Sequence, residues 1–270
     1  MSIYAGMSMS GFVDAFRAGF GVLSTIPVRC SDADVDALSK RMFVFVPVGV
    51  VLGALIGCAG AVAHLLPEAA TPLMPLAVMY AIYFLCGLNH LDGLSDLGDG
   101  MTAHGAREKK VSAMKDTSIG VGGMGYVVMY LIALYAVLLT LVESVSPLVL
   151  AAALTVSEVC AKHTMVGVAA MGTPLHEGLG SVFVRHTGYS SLLTSLVLSV
   201  LIGALIAGMV GIIAVLAATL TSVMVVHRAS AHFGGVSGDV LGASNELGRL
   251  AALLCMGVGA AVGGGAWRLL

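Results

Sequence analysis

Residues 191–228 read SLLTSLVLSVLIGALIAGMVGIIAVLAATLTSVMVVHR, and nothing ionisable precedes His227 and Arg228 in that run. A bilayer core is crossed by about 20 apolar residues in a helix. The run is therefore too long for one crossing. Gly208 and Gly211 offer the break, which divides it into spans at 191–207 and 210–228. A helical membrane protein follows, because backbone exposed to lipid must satisfy its own hydrogen bonds.

The rest of the chain agrees. Of its 270 residues 58% are hydrophobic and 10% are charged, against about 25% charged in soluble domains. The apolar runs are too long and unbroken for the alternating strands of an outer-membrane barrel. Further spans are expected at 41–65, 71–91, 119–141, 147–171 and 245–265. Residues 12–28 are apolar but short and close at Pro27, which fits an interfacial or half-inserted helix. The fold expected is an all-α, polytopic helix bundle embedded in the membrane. It has about seven transmembrane helices, an N-terminal interfacial helix and a single domain over residues 1–270.

A net charge of −2 gives no hint of a nucleic-acid partner. Cys30, Cys58, Cys86, Cys160 and Cys255 are scattered, with no CxxC and no Cys/His ligand spacing, so neither metal binding nor a disulfide framework is expected of them. The first ten residues lack the basic start and small-residue cleavage site of a signal peptide. Lys and Arg fix the expected orientation. With the N-terminus in the cytoplasm, Arg17, Arg29, Lys40, Arg41, Arg107, Lys109, Lys110, Lys115, Arg185, Arg228 and Arg249 fall inside, and only Arg268 falls outside. The outer connections, around 64–72, 143–147 and 208–211, carry no Lys or Arg. A multi-pass protein of the cytoplasmic membrane is expected, with its polar loops facing the cytoplasm.

One polar loop carries chemistry. Residues 90–125 read HLDGLSDLGDGMTAHGAREKKVSAMKDTSIGVGGMG. Asp92, Asp96 and Asp99 stand at i, i+4 and i+7, within an arc of about 60° on one helix face. Carboxylates so close repel one another unless a cation lies between them, and oxygen ligands favour a hard ion, Mg²⁺ above all. Phosphate chemistry at a membrane surface is the expectation. Glycines at 93, 98 and 100 would let a phosphate approach the backbone. Arg107 can clamp a phosphate bidentately, whereas Lys109 and Lys110 read as ordinary positive-inside residues. Asp116 opens the next span as helix cap, metal ligand or both.

Three other places carry polar groups. The loop at 232–248, HFGGVSGDVLGASNELG, brings Asp239 to the start of the last span, again as cap or as further metal or phosphate contact. Glu158 and Lys162 are i, i+4 within the fourth span, beside His163. They read as a structural pair or as a cationic wall for a phosphate-bearing substrate. The loop at 174–185 holds His176, Glu177 and Arg185. The aspartates gather at one surface, which argues against a transporter with its site at the midplane.

These motifs resemble those of the adenosylcobinamide-GDP ribazoletransferases over most of the chain. The family's His-Leu-Asp-Gly-Leu-Ala-Asp-x-x-Asp-Gly signature is similar to the run from His90 to Gly100. Its Met-(Lys/Arg)-Asp-Ser-x-x-Gly element is matched by Met114, Lys115, Asp116, Thr117 and Gly120. Its Gly-Gly-x-Thr-Gly-Asp-x-Leu-Gly-Ala element is matched by Gly234, Gly235, Ser237, Gly238, Asp239, Leu241, Gly242 and Ala243. A Glu-Gly-Leu-Gly loop stands at residues 177–180, and Ile26-Pro27-Val28 and Val46-Pro47-Val48-Gly49 look like the N-terminal elements. Ser95, Thr117 and Ser237 depart mildly. Thr25 stands where an Arg is frequent, and an Arg expected in the fourth span has no counterpart, with Lys162 nearby.

The resemblance implies an enzyme that joins adenosylcobinamide-GDP to alpha-ribazole or its 5′-phosphate, releasing GMP, with Mg²⁺ required. It implies Asp92, Asp96, Asp99 and Asp116 as catalytic residues, and these four with Asp239 as metal ligands. His90, Arg107, Lys115, Lys162, Glu177, Arg185, Gly235, Gly238 and Asp239 are the implied substrate contacts. The partners are the corrinoid nucleotide, the ribazole and the lipid bilayer. The oligomeric state is left open, a homo-oligomer included. The spaced aspartates also look like those of the CDP-alcohol phosphotransferases, which use a lipid acceptor, but their Asp-Gly-x-x-Ala-Arg arrangement is missing.

Overall fold

The computed structural model describes residues 9–262. Its helices, in chain order, are α1 (Met9–Leu23), α2 (Asp32–Ser39), α3 (Phe45–Ala63), α4 (Met74–Cys86), α5 (Asn89–Thr102), α6 (Arg107–Met114), α7 (Val121–Ser144), α8 (Pro147–Met171), α9 (Leu179–His186), α10 (Tyr189–His232) and α11 (Gly238–Val262). Six stretches among the described residues are long and apolar enough to cross a membrane: Met42–Ala63, Glu68–Cys86, Val121–Ser144, Pro147–Met171, Tyr189–His232 and Gly238–Val262. The protein is an all-helical, multi-pass membrane bundle.

The 44-residue α10 accounts for the seventh crossing. Its backbone leaves helical geometry at Ala207 (φ −133°) and at Gly208 (φ 57°, ψ −139°). Gly208 takes the left-handed φ that a side chain would resist. Beyond it the chain doubles back. His163 bonds Ser195 on one arm through Nδ1 (2.9 Å) and Thr219 on the other through Nε2 (3.0 Å). In a straight helix those residues would lie about 36 Å apart. The arms pack so tightly that a Cβ on Gly211 would lie 2.1 Å from the Gly203 carbonyl oxygen.

α8 is the axis of the bundle, buried along almost its whole length. Against it α3 lays a stripe of glycines. A Cβ on Gly49, Gly53 or Gly57 would meet the α8 backbone at 2.9, 2.7 and 2.7 Å respectively. Small residues at every fourth position let two helix backbones approach closely where lipid supplies no hydrophobic drive.

Two expected boundaries move. The span expected at 71–91 ends at Cys86. Gly87, at φ 72°, turns the chain, and the aspartate segment becomes the separate helix α5. The last span begins at Gly238 rather than at 245. Arg249, expected among the inner-surface charges, is fully buried within α11. The expected span at 245–265 already held Glu246 and Arg249, but its start was set too late and Arg249 was counted with the inner-surface charges. These two bond each other (Arg249 Nη1 to Glu246 Oε2), which lets them enter the interior. Arg268, expected outside, and residues 263–265 of the last expected span lie outside the described residues.

The buried charges form one cluster. Arg249 Nε donates to Glu158 Oε1 at 2.5 Å. Lys162 Nζ donates to Glu158 Oε2 and to Asn245 Oδ1, both at 2.9 Å. Asn245 Nδ2 and Tyr130 Oη donate to the two oxygens of Glu246, at 2.9 and 2.5 Å. Two carboxylates face two cations, and α7, α8 and α11 are joined through them. Removing one partner of a buried pair costs about 3–5 kcal/mol, because the other charge is stranded. Replacement of Arg249 by Leu is expected to lower the thermal unfolding temperature in detergent markedly and to broaden elution on size exclusion. An unchanged melting curve would show that the cluster does not hold the bundle.

Candidate active site

The loops before α9 and α11 meet, and α6 lies against the loop before α11. Leu175 N donates to Val236 O (2.9 Å) and Val236 N to Thr173 O (2.7 Å), which stitches the loop before α9 to the loop before α11. A Cβ on Gly180 would meet Gly238 N at 2.5 Å, and one on Gly235 would meet Thr173 O at 2.7 Å. Glycine is required in these two loops because their backbones touch. Lys110 of α6 reaches His232 Nδ1 at 2.9 Å. The guanidinium of Arg107 lies over Gly234, whose φ is 91°.

α5 carries the aspartates along this surface. His90, Leu94 and Leu97 turn inward and are buried. Asp92 is exposed, and Asp96 and Asp99 are half-buried. Gly93 fixes the crossing of α5 with the start of α11: a Cβ there would lie 2.6 Å from Asp239 O. That approach brings Asp239 beside Asp92 and Asp96.

The result is a cavity of about 380 Å³ lined by Asp92 and Asp96 of α5, Asp239 of α11, and the segment 114–119, which brings Lys115, Asp116 and Ser118. Among the described residues Asp92, Asp96, Asp116 and Asp239 form no ion pair. Burial, and then the charges of Asp239, Asp92 and Asp99, push the Asp96 carboxyl up to about 7. Asp116 goes the other way. Its Oδ1 accepts from the Ser118 hydroxyl and from Ser118 N (2.9 Å), which lowers its carboxyl below the usual range.

Asp99 stands apart from that cavity. Its Oδ2 accepts from Gly120 N and its Oδ1 from Gly123 N, both at 2.8 Å, so it caps the start of α7. A neighbouring cavity of about 360 Å³ is lined by Asp99 together with Asp116 and Ser118. Each Asp99 oxygen keeps a lone pair beyond its backbone bond.

The other expected contacts are spread more widely. Lys115 lines the acidic cavity. Arg107 lies on the adjoining loop. Glu177 and Arg185 form an exposed ion pair with each other, which raises the arginine's pKa and lowers the glutamate's. His90 packs beside Gly242, and its Nδ1 has no partner. Lys162 is fully buried, so of its two readings the structural pair is the one its contacts fit. Two groups escaped notice in the sequence. Ser118 holds Asp116, and an Asp-x-Ser turn was a readable signal for it. Tyr130 holds Glu246, and hydropathy gave no signal for that.

Among the described residues no three His, Cys, Asp or Glu side chains stand as a ready-made metal cluster. The donor chemistry nonetheless fits a hard divalent cation. Four carboxylates line one cavity, and burial together with the charges of Asp239, Asp92 and Asp99 raises the Asp96 carboxyl.

The comparisons with known proteins address the same residues. Over 258 residues the chain is 43% identical to the adenosylcobinamide-GDP ribazoletransferase of Methanococcoides burtonii, covering 93% of this chain and 94% of that protein. It is 36% identical to the enzyme of the same name from Methanosarcina mazei, over 97% of this chain and all of the relative. The Thermococcus kodakarensis protein of that name is 31% identical over 87% of the chain. No solved structure matches. A family model described as cobalamin-5-phosphate synthase matches residues 15–257, which takes in both stitched loops and every aspartate of the cavity, and the chain belongs to that family.

Proposed function

We propose that this protein is a membrane-bound transferase that joins adenosylcobinamide-GDP to alpha-ribazole or its 5′-phosphate, and that the acidic cavity is where the reaction occurs. The observation that carries the reading is the convergence of Asp92, Asp96, Asp116 and Asp239 with Lys115 on one cavity, in a chain whose relatives bear the name of that activity. The lipid-acceptor alternative has no comparable support.

In the proposed reaction a ribose hydroxyl oxygen bonds to the phosphorus that carries the corrinoid. The bond from that phosphorus to the GMP phosphate breaks, GMP departs, and the hydroxyl proton passes to a base. Asp92, Asp96, Asp116 and Asp239 would hold Mg²⁺, with Asp99 able to join from the adjacent cavity. Bound there, the cation would neutralise the diphosphate and stabilise charge on the departing phosphate. Lys115 supplies a mobile positive charge in the same cavity, and Arg107 supplies a planar fork above Gly234. The glycine-bearing segments at 234–238 and 177–180 pack against each other beside Asp239. The polar end of the bundle is assigned to the cytoplasm on the Lys/Arg asymmetry.

GMP release from adenosylcobinamide-GDP by the purified protein is expected only when ribazole or its phosphate and Mg²⁺ are both present, and chelation is expected to abolish it. Asp92→Asn and Asp96→Asn should each lower turnover at least about a hundredfold with the melting temperature preserved. Near-normal rates in both variants would refute the cation assignment. Gly93→Val should also suppress turnover, because it pushes Asp239 away from α5. In a cysteine-free background, single cysteines placed at exposed positions between 103 and 118 should be labelled from the cytoplasmic face alone. Labelling from the outer face would overturn the orientation.

A further inference from the structure

A second cavity, of about 290 Å³, opens between α5 and the start of α7 and shares Asp92 and Ile119 with the acidic cavity. The rest of its wall is Leu88, Leu91, Met124, Val127 and Val128, with Ser95 as its one hydroxyl. Leu88, Met124 and Val128 are exposed at its lip. The cleft is thus almost wholly apolar, ends on a carboxylate of the acidic cavity and carries one hydroxyl. The larger cleft lined by Tyr126, Met224 and Leu254 shares no residue with the acidic cavity.

We propose that this cleft between α5 and α7 binds the base of the acceptor nucleoside, an alkyl-substituted benzimidazole, and so directs its ribose towards Asp92. The proposal rests on the transferase reading above. The base is flat, apolar and carries one unsubstituted imine nitrogen. A flat apolar ring gains from burial between aliphatic side chains. Met124 adds a polarisable sulfur that packs well against an aromatic ring. The Ser95 hydroxyl can donate to the imine nitrogen. The ribose is attached to the opposite ring nitrogen, so a base seated in the cleft leaves the sugar at the mouth shared with the acidic cavity. The rival occupant is a lipid acyl chain.

The test is direct binding of alpha-ribazole alone, read by the fluorescence of its benzimidazole, to the full-length protein in nanodiscs without corrinoid nucleotide or Mg²⁺. Val128→Trp and Met124→Trp fill the cleft from its lip. Each is expected to weaken ribazole binding roughly tenfold or more, and to raise KM for ribazole without changing KM for adenosylcobinamide-GDP. A photoreactive azidobenzimidazole riboside should label wild-type peptides from α5 and from 119–128. Unchanged ribazole affinity in both folded variants would overturn the proposal. So would labelling confined to other helices, or a lipid held in the cleft that saturating ribazole does not displace. Wild-type GMP release is read in the same preparations, so a protein that transfers but fails these tests loses this inference alone. One that binds ribazole in the cleft yet never releases GMP loses the transferase reading.

Discussion

Charge neutrality inside the bilayer is the constraint on which this structure depends. A lone ion in hydrocarbon is costly enough to exclude most folds. This chain carries Glu158, Lys162, Glu246 and Arg249 into its interior and makes their charges cancel. The cluster has a geometric by-product. α11 starts at Gly238 and carries Glu246 and Arg249 into the buried cluster. That starting point sets Asp239 against Gly93 of α5. The balanced charges at depth thus fix where the unbalanced ones at the surface meet.

The surface follows the opposite rule. Asp92, Asp96 and Asp239 share a cavity in which their repulsion is left without protein counter-charge beyond Lys115 of the 114–119 segment. A fold that neutralises every buried ion in its core could neutralise these too. Leaving them bare stores an electrostatic demand that an incoming cation, with its phosphate ligands, would satisfy. Asp116 is separately tuned by Ser118, whose hydroxyl and amide lower its carboxyl below the usual range.

Much of this was legible in the sequence, and the reasons are particular. The break in residues 191–228 was readable because two glycines interrupt a run too long for one crossing, and the turn at Ala207–Gly208 lies at that place. That Asp92 and Asp96 share one helix face was readable from their spacing, and both line one cavity. The turn at Gly87 was hidden because Leu85, Leu88 and Leu91 keep hydropathy high across it. The burial of Arg249 was hidden because its charge put it with the Lys and Arg of the inner surface, and an i, i+3 ion pair is invisible to that criterion. The glycine stripe on α3 was written plainly as Gly49, Gly53 and Gly57. Its partner helix could not be read, because nothing local says which backbone a small residue touches. Asp99 shows the limit of spacing: it shares the α5 face with Asp92 and Asp96, yet the amides of α7 claim its oxygens.

The reversal at Gly208 bears on how the protein is made. Two long greasy arms joined by two non-helical residues leave almost nothing to be pulled across the bilayer between them. Such a pair can enter the membrane as one preformed wedge, with the ring of His163 on α8 bonding a hydroxyl from each arm.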